Sequence, residues 1–246
     1  MSETLTAVII AVCLCGAVLI GMLFRRLLPE HHLSSDTKDA VKVAMGLVAT
    51  MSALLLGLLV SSAKSSYDTV RSDIIQMAAK ISFLDRVLEL YGPEAAPLRA
   101  GLKRTVGKIA EQLWSETQST AAPDVRAGNE FYIAMQGLSP RDDLQRTLKD
   151  QAVHLAVEMA QTRTLLRAQS LAAISRPLLI VVVCWLVIIF YNFTLFAPAN
   201  STATLSLLVA ALSVAGAIFL ILAMNHPFTG VMRISNEPLT SALGGG

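Results

Sequence analysis

The sequence predicts an all-α membrane protein: four transmembrane helices, with a helical-bundle soluble domain inserted between the second and the third. Three observations lead there. Of the 246 residues, 54% are hydrophobic and only 15% are charged, against about 25% charged in an average soluble domain. The mean hydropathy is +0.57. The charge is also unevenly spread, with two nearly uncharged stretches near each end and most charged residues in the middle.

The first stretch, Leu5 to Leu23, closes on Arg25 and Arg26, and the second, Val43 to Ala63, lies between Lys42 and Lys64. Each is long enough to span ~30 Å of hydrocarbon at about 1.5 Å per residue. The first is expected to be a retained helix rather than a cleaved signal peptide. It has no basic lead-in, is too long for the apolar part of a signal, and ends in two arginines instead of small residues. These crossings and their short polar loop form a segment over residues 1–63.

A soluble helical domain is expected over residues 64–176, continuous with the second and third crossings. From Tyr67 to Leu90 there is no Pro or Gly, and Val70, Ile74, Met77, Ile81, Leu84 and Leu88 recur at helical spacing. Gly92-Pro93 ends that helix. A second helix, Glu94 to Trp114, carries Leu98, Leu102, Val106, Ile109 and Leu113 on one face. Small and polar residues at Ser119 to Asp124 mark a break, followed by a short amphipathic helix around Glu130 to Gln136. Ser139-Pro140-Arg141-Asp142-Asp143 then reads as a helix start, with Ser139 as cap, Pro140 first and acids in the first turn. Its apolar face is Leu144, Leu148, Leu155, Met159, Leu166 and Leu171.

Arg176-Pro177 opens the third crossing, Pro177 to Phe196. The fourth, Leu205 to Met224, follows an uncharged connection, so that residues 177–224 form a tight hairpin and residues 225–246 a tail. Four crossings put both termini and the soluble domain on one face. The Lys and Arg count near the helix ends favours the cytoplasm for that face, although Arg25 and Arg26 alone argue the reverse. Cys13, Cys15 and Cys184 all fall in crossings and offer neither a disulfide framework nor a zinc pattern.

Particular strings carry more. Leu28-Pro29-Glu30-His31-His32-Leu33-Ser34-Ser35-Asp36, Gly46-Leu47-Val48-Ala49-Thr50, Gly57-Leu58-Leu59-Val60-Ser61-Ser62-Ala63-Lys64, Tyr91-Gly92-Pro93-Glu94-Ala95 and Pro227-Phe228-Thr229-Gly230 resemble the corresponding strings of a bacterial family labelled bestrophin-like. The resemblance covers nearly the whole chain. It implies, by analogy with bestrophins, an oligomeric anion channel in the bacterial inner membrane, with four crossings and a helical cytosolic region. One departure stands out: Asn225-His226 occupies the place before the Pro-Phe-x-Gly turn where the family carries an acid. The closing Gly244-Gly245-Gly246 lies outside the resemblance.

Chemistry-bearing residues are few. His31 and His32, with Glu30, Asp36 and Asp39, could sense pH or hold a metal, but they lack the spacing that makes helical histidines converge. Ser34 or Ser35 more simply caps the second helix. Nucleophile arrangements, phosphate loops and dinucleotide motifs are missing, so no enzyme activity and no cofactor are expected. Lys103, Arg104 and Lys108 form a small basic patch that reads as a solvated or lipid-facing surface, not a nucleic-acid site.

The second crossing is the discriminating feature. Gly46, Thr50, Ala53, Gly57 and Ser61 form one face of small residues ending at Lys64. Such a face lets helices approach closely, as in tight packing inside one subunit, or lines a narrow water-filled path around an oligomer axis. The expected function is a homo-oligomeric channel passing small inorganic ions, anions by the resemblance, along that face within membrane lipid. The alternatives are a non-conducting scaffold or sensor whose helical domain binds a cytoplasmic partner and, third, a metalloenzyme using the His31 and His32 loop.

Overall fold

The computed structural model describes residues 3–27, 35–114, 125–171, 176–197, 200–228 and 230–244. Among these, the regular structure is wholly helical. The α-helices are α1 (Glu3–Leu27), α2 (Ser35–Tyr91), α3 (Ala96–Trp114), α4 (Val125–Gln136), α5 (Asp143–Leu171), α6 (Arg176–Phe196), α7 (Ser201–Met224) and α8 (Glu237–Gly244). A 3-10 turn, Pro93–Ala95, precedes α3. Four of them, α1, α2, α6 and α7, are long and apolar enough to cross a membrane. The break expected at Ser119 to Asp124 lies outside the described residues. The chain divides into two compact units, Met1–Ser66 with Ala173–Asn225, and Tyr67–Ala172 with His226–Gly246. Helix α2, at 57 residues, supplies residues to both.

In the first unit α1 packs along both α6 and α7, which touch each other only sparingly. The short connection after α6 was readable as a hairpin, but the pairing that builds this unit runs through α1. Leu14 and Val18 of α1, Val182 of α6, and Ile218 and Ile221 of α7 are fully buried. The closest approach is at Gly21, where a Cβ would stand 2.9 Å from the Tyr191 carbonyl and 3.0 Å from the Thr194 Cβ. A glycine there lets the two backbones meet, which is how helices gain packing energy in lipid. Polar side chains on these helices bond their own backbone one turn back: Thr194 Oγ1 donates to the Phe190 carbonyl at 2.8 Å and Asn192 Nδ2 to the Ile188 carbonyl at 2.8 Å. Without water in hydrocarbon, such bonds satisfy groups that would otherwise be costly to leave alone.

The second unit is built around one apolar cluster. Val70, Ile74, Met77, Ile81, Leu84 and Leu88 of α2 meet Leu98, Leu102 and Val106 of α3 and Leu148, Leu155 and Leu166 of α5. The periodic faces read from the sequence are thus the buried ones. Leu144 is an exception at 67% exposed; it sits in the first turn of α5, ahead of the covered stretch that begins at Leu148. The side chains of Ile109, Leu113 and Leu171 lie outside the described residues.

Helix α5 starts later than Ser139-Pro140 suggests, at Asp143. The cap is Asp142, not Ser139. The Asp142 carbonyl accepts the Arg146 N–H at 3.1 Å, the first bond of the helix, and its Oδ1 accepts the Gln145 N–H at 2.7 Å. Gln145 replies through Oε1 to the Arg141 N–H at 2.8 Å, a variant of the capping box. Asp142 is favoured over Ser139 because Gln145, one turn on, bonds both back to Arg141 and across to Tyr91. Gln145 Nε2 also donates to the Tyr91 carbonyl at 3.0 Å, closing the end of α2. Gly92 follows at φ 120°, a conformation that glycine adopts without strain. Likewise Lys149 Nζ donates to the carbonyls of Gln136 and Leu138, at 2.7 and 2.8 Å, and finishes α4.

Residues after α7 do not behave as a tail. Phe228, Ile234 and Leu239 are buried in the second unit's core. Trp114 Nε1 donates to the Ile234 carbonyl at 2.7 Å, and the Trp114 and Phe228 rings meet edge to face at 5.4 Å. The aromatic pair and the bond to backbone hold the segment by two different forces.

Candidate functional site

The small-residue face of α2 forms because an α-helix turns about 100° per residue, so positions three and four apart stay on one side. Gly46, Thr50, Ala53, Gly57, Ser61 and Lys64 are all exposed in the chain. A Cβ added at Gly46 or at Gly57 would meet nothing within 4 Å. Thr50 Oγ1 donates back to the Gly46 carbonyl at 2.9 Å, which occupies the hydroxyl hydrogen and leaves the oxygen's lone pairs outward.

The opposite face carries Ser52, Leu59 and Ala63, all buried, with Ser52 Oγ donating to the Val48 carbonyl at 2.8 Å. At helical pitch the small face lies roughly 140° around from this line. Large apolar side chains, Val43, Leu47, Leu54 and Leu58, are exposed on a third face, roughly 80° beyond the small one. Of the most apolar 18-residue stretch of α2, 11% is buried within the chain, against 33% in each of the other three long apolar helices. The intrasubunit packing role for the small face is therefore not realised at Gly46 or Gly57.

The other predicted residues do not assemble. Glu30, His31 and His32 lie outside the described residues, and so does the side chain of Asp36. Asp39 pairs with Lys42 at 3.2 Å in the first turns of α2, an exposed pair of the kind that contributes little. No group of three or more His, Cys, Asp or Glu is placed to hold a metal among the described residues.

Sequence reasoning passed over the polar fastenings of the second unit. Arg99 binds Asp85 through two hydrogen bonds. The hydrogen bond from Arg99 holds the Asp85 carboxyl below the usual carboxylate range, opposed by partial burial, and the same bond raises the guanidinium. Lys80 Nζ lies 3.0 Å from Glu158 Oε2, and His154 Nε2 lies 3.2 Å from Oε1 of the same residue. The hydrogen bond from Lys80, then its charge, lowers the Glu158 carboxyl. Burial, then the neighbouring Glu94 charge, pushes the Tyr91 hydroxyl upward. Spacing alone could not have found the Arg99 to Asp85 pair, whose members lie 14 residues apart on different helices. Ser52 was findable, as a serine amid an apolar run.

Residues 12–239 match the family model described as a Bestrophin-like domain. No curated protein matches the chain in sequence. Among solved structures, the chain is similar to a bacterial bestrophin homologue from Klebsiella pneumoniae, in two crystal structures that each carry a single mutation. The first superposes with a TM-score of 0.73 at 12% identity, covering 99% of this chain and 96% of that one. The second gives 0.69 at 11% identity, covering 97% and 96%. At such identities the likeness concerns the fold.

Proposed function

This chain belongs to the bestrophin-like family, and from that premise we propose that it forms a homo-oligomer in the bacterial inner membrane that passes small ions, anions foremost, along an axis lined by the small face of α2. The observation that carries the reading is the openness of that face: Gly46 and Gly57 have no neighbour at their Cβ positions, and α2 is the least covered of the four long apolar helices. An uncovered helix face in a membrane must meet lipid, another subunit or water. Small residues and hydroxyls suit a narrow hydrated path, while the neighbouring row of Val43, Leu47, Leu54 and Leu58 suits lipid or an adjoining copy. Both termini and the second unit lie on the cytoplasmic side in this reading, and no chemical step is assigned.

Reconstitution into planar bilayers tests it. The wild type should conduct, and Gly57→Trp should abolish the current while the melting temperature stays within a few degrees, because the indole enters open space. Silence of the wild type across voltage would remove the channel. A large loss of stability in Gly57→Trp would show a packed face instead. A second reading, a membrane scaffold, is favoured by Ile75, Phe83 and Leu90, large apolar side chains exposed on the second unit's part of α2; it predicts no conductance and a retained cytoplasmic protein.

A further inference from the structure

We propose that α4 is a movable flap, hinged at Met135, which swings between the two clefts that flank it and couples them, so that filling one narrows the other. On the α5 side lies a half-open cleft of about 630 Å³, walled by Leu102 and Val106, by Phe131 and Tyr132, and by Val157 and Met159. On the α3 side lies a smaller one of about 280 Å³, walled by Leu98, Gly101 and Arg104 against Glu130, Phe131 and Ala134. Phe131 borders both. A tilt of α4 that enlarges one cleft therefore takes space from the other, and the coupling is reciprocal.

The burial of α4 is concentrated at one end. Met135, next to last in the 12-residue helix, is fully buried, and it is the only buried side chain among those described on α4. Lys149 ties the same end through its bonds to the carbonyls of Gln136 and Leu138. Toward the other end Asn129, Glu130, Tyr132 and Ile133 are exposed. The Tyr132 hydroxyl accepts from Gln136 Nε2 at 3.1 Å, a bond within the helix that travels with it. Phe131 rests near Gly101, where a Cβ would stand 3.8 Å from its Cδ2, so no side chain at position 101 interlocks with the ring. Arg163 of α5 reaches the neighbourhood of Gly128, and its long stem has the rotamer freedom to follow the helix. Elements with few buried apolar contacts are those that move at least cost, and a rigid tilt keeps every bond inside α4. From its first residue to Met135 the helix is a lever of roughly 15 Å. The device is independent of conduction and would stand in a non-conducting scaffold.

The test is a distance measurement by pulsed electron resonance on the full chain in lipid nanodiscs, with its three cysteines replaced and labelled chains diluted by unlabelled ones. One pair of spin labels, at Asn129 and Gln161, spans the larger cleft; a second, at Gln136 and Thr147, reports the hinge end. The first pair should give two distances, or a spread about twofold wider than the second, as expected of a collective helix motion frozen in all its states. Gly101→Leu, which fills the smaller cleft, should shorten the Asn129 to Gln161 distance by about 4 Å, a tilt of roughly 15° on that lever. Ala160→Phe, which fills the larger cleft, should lengthen it by a similar amount. Should Gly101→Leu fail to fold, Ala134→Leu fills the same cleft from α4 itself. The proposal falls if both label pairs give equally narrow distances, if the hinge pair is as broad as the other, or if the two fillings do not move the distance in opposite directions.

Discussion

The Arg99 guanidinium grips the Asp85 carboxylate through two parallel hydrogen bonds, Nε to Oδ1 at 2.9 Å and Nη2 to Oδ2 at 2.8 Å. The pair ties α3 to α2 inside the second unit, and both side chains are largely shielded from water. Asp85→Asn should cost about 1.5–3 kcal/mol, read as a drop of several degrees in the melting temperature of the full protein in detergent. Because the folded state holds the Asp85 carboxyl low, its contribution is complete above about pH 4 and is lost as pH falls through the lower folded value. The wild type should therefore lose more stability than Asp85→Asn does on acidification below about pH 4. Parallel acid profiles for the two proteins would show that the pair is not stabilising.

Gly21 leaves no space for a side chain against α6. A Cβ would press on the Tyr191 carbonyl at 2.9 Å, which is backbone and cannot rotate away. Gly21→Ala should cost about 1–3 kcal/mol through overpacking, and Gly21→Leu more. Gly16, with nothing within 4 Å of its Cβ position, serves as the control, and Gly16→Ala should be neutral within about 0.5 kcal/mol. Equal melting temperatures for Gly21→Ala and the wild type would contradict the close approach of α1 and α6.

Trp114 fastens the segment after α7 to α3. Trp114→Leu removes the donor to the Ile234 carbonyl and the edge-to-face contact with Phe228, together about 1–3 kcal/mol. Arg233 is exposed beside that segment, so trypsin should cleave after it several times faster in the variant. An unchanged cleavage rate would mean that Phe228, Ile234 and Leu239 hold the segment unaided.

Lys64 closes the small face of α2, where a ring of ammonium groups in an oligomer would concentrate anions. Under a salt gradient, Lys64→Glu should move the reversal potential toward cations. A conducting variant with unchanged selectivity would keep the channel and remove Lys64 from its mouth.

Much of the fold was legible because water and lipid impose it locally. A stretch of about 20 apolar residues has few alternatives to a spanning helix, and the 3.6-residue period marks which side is buried. That is why Val70 to Leu88 were readable as core, and why Gly46 to Ser61 were readable as one face. Gly92 and the Pro after it likewise announced their turn through φ preference alone.

Other features depend on residues distant in sequence. The cap at Asp142 does not stand out locally, because Ser139-Pro140 is also a good start, and only the bonds among Asp142, Gln145 and Tyr91 decide between them. The burial of residues 225–246 is not visible in their sequence, because Phe228, Ile234 and Leu239 are too sparse to show a period, yet each finds an apolar site prepared by other helices. The sequence by itself determined helices α1 to α7, though not α8, together with the four long apolar spans and the family. Only the tertiary structure decided that α1 rather than the α6–α7 pairing organises the first unit, and that the face at Gly46 and Gly57 stays uncovered within the chain. Composition and period record what each segment prefers to bury, while burial itself is settled by which neighbours arrive.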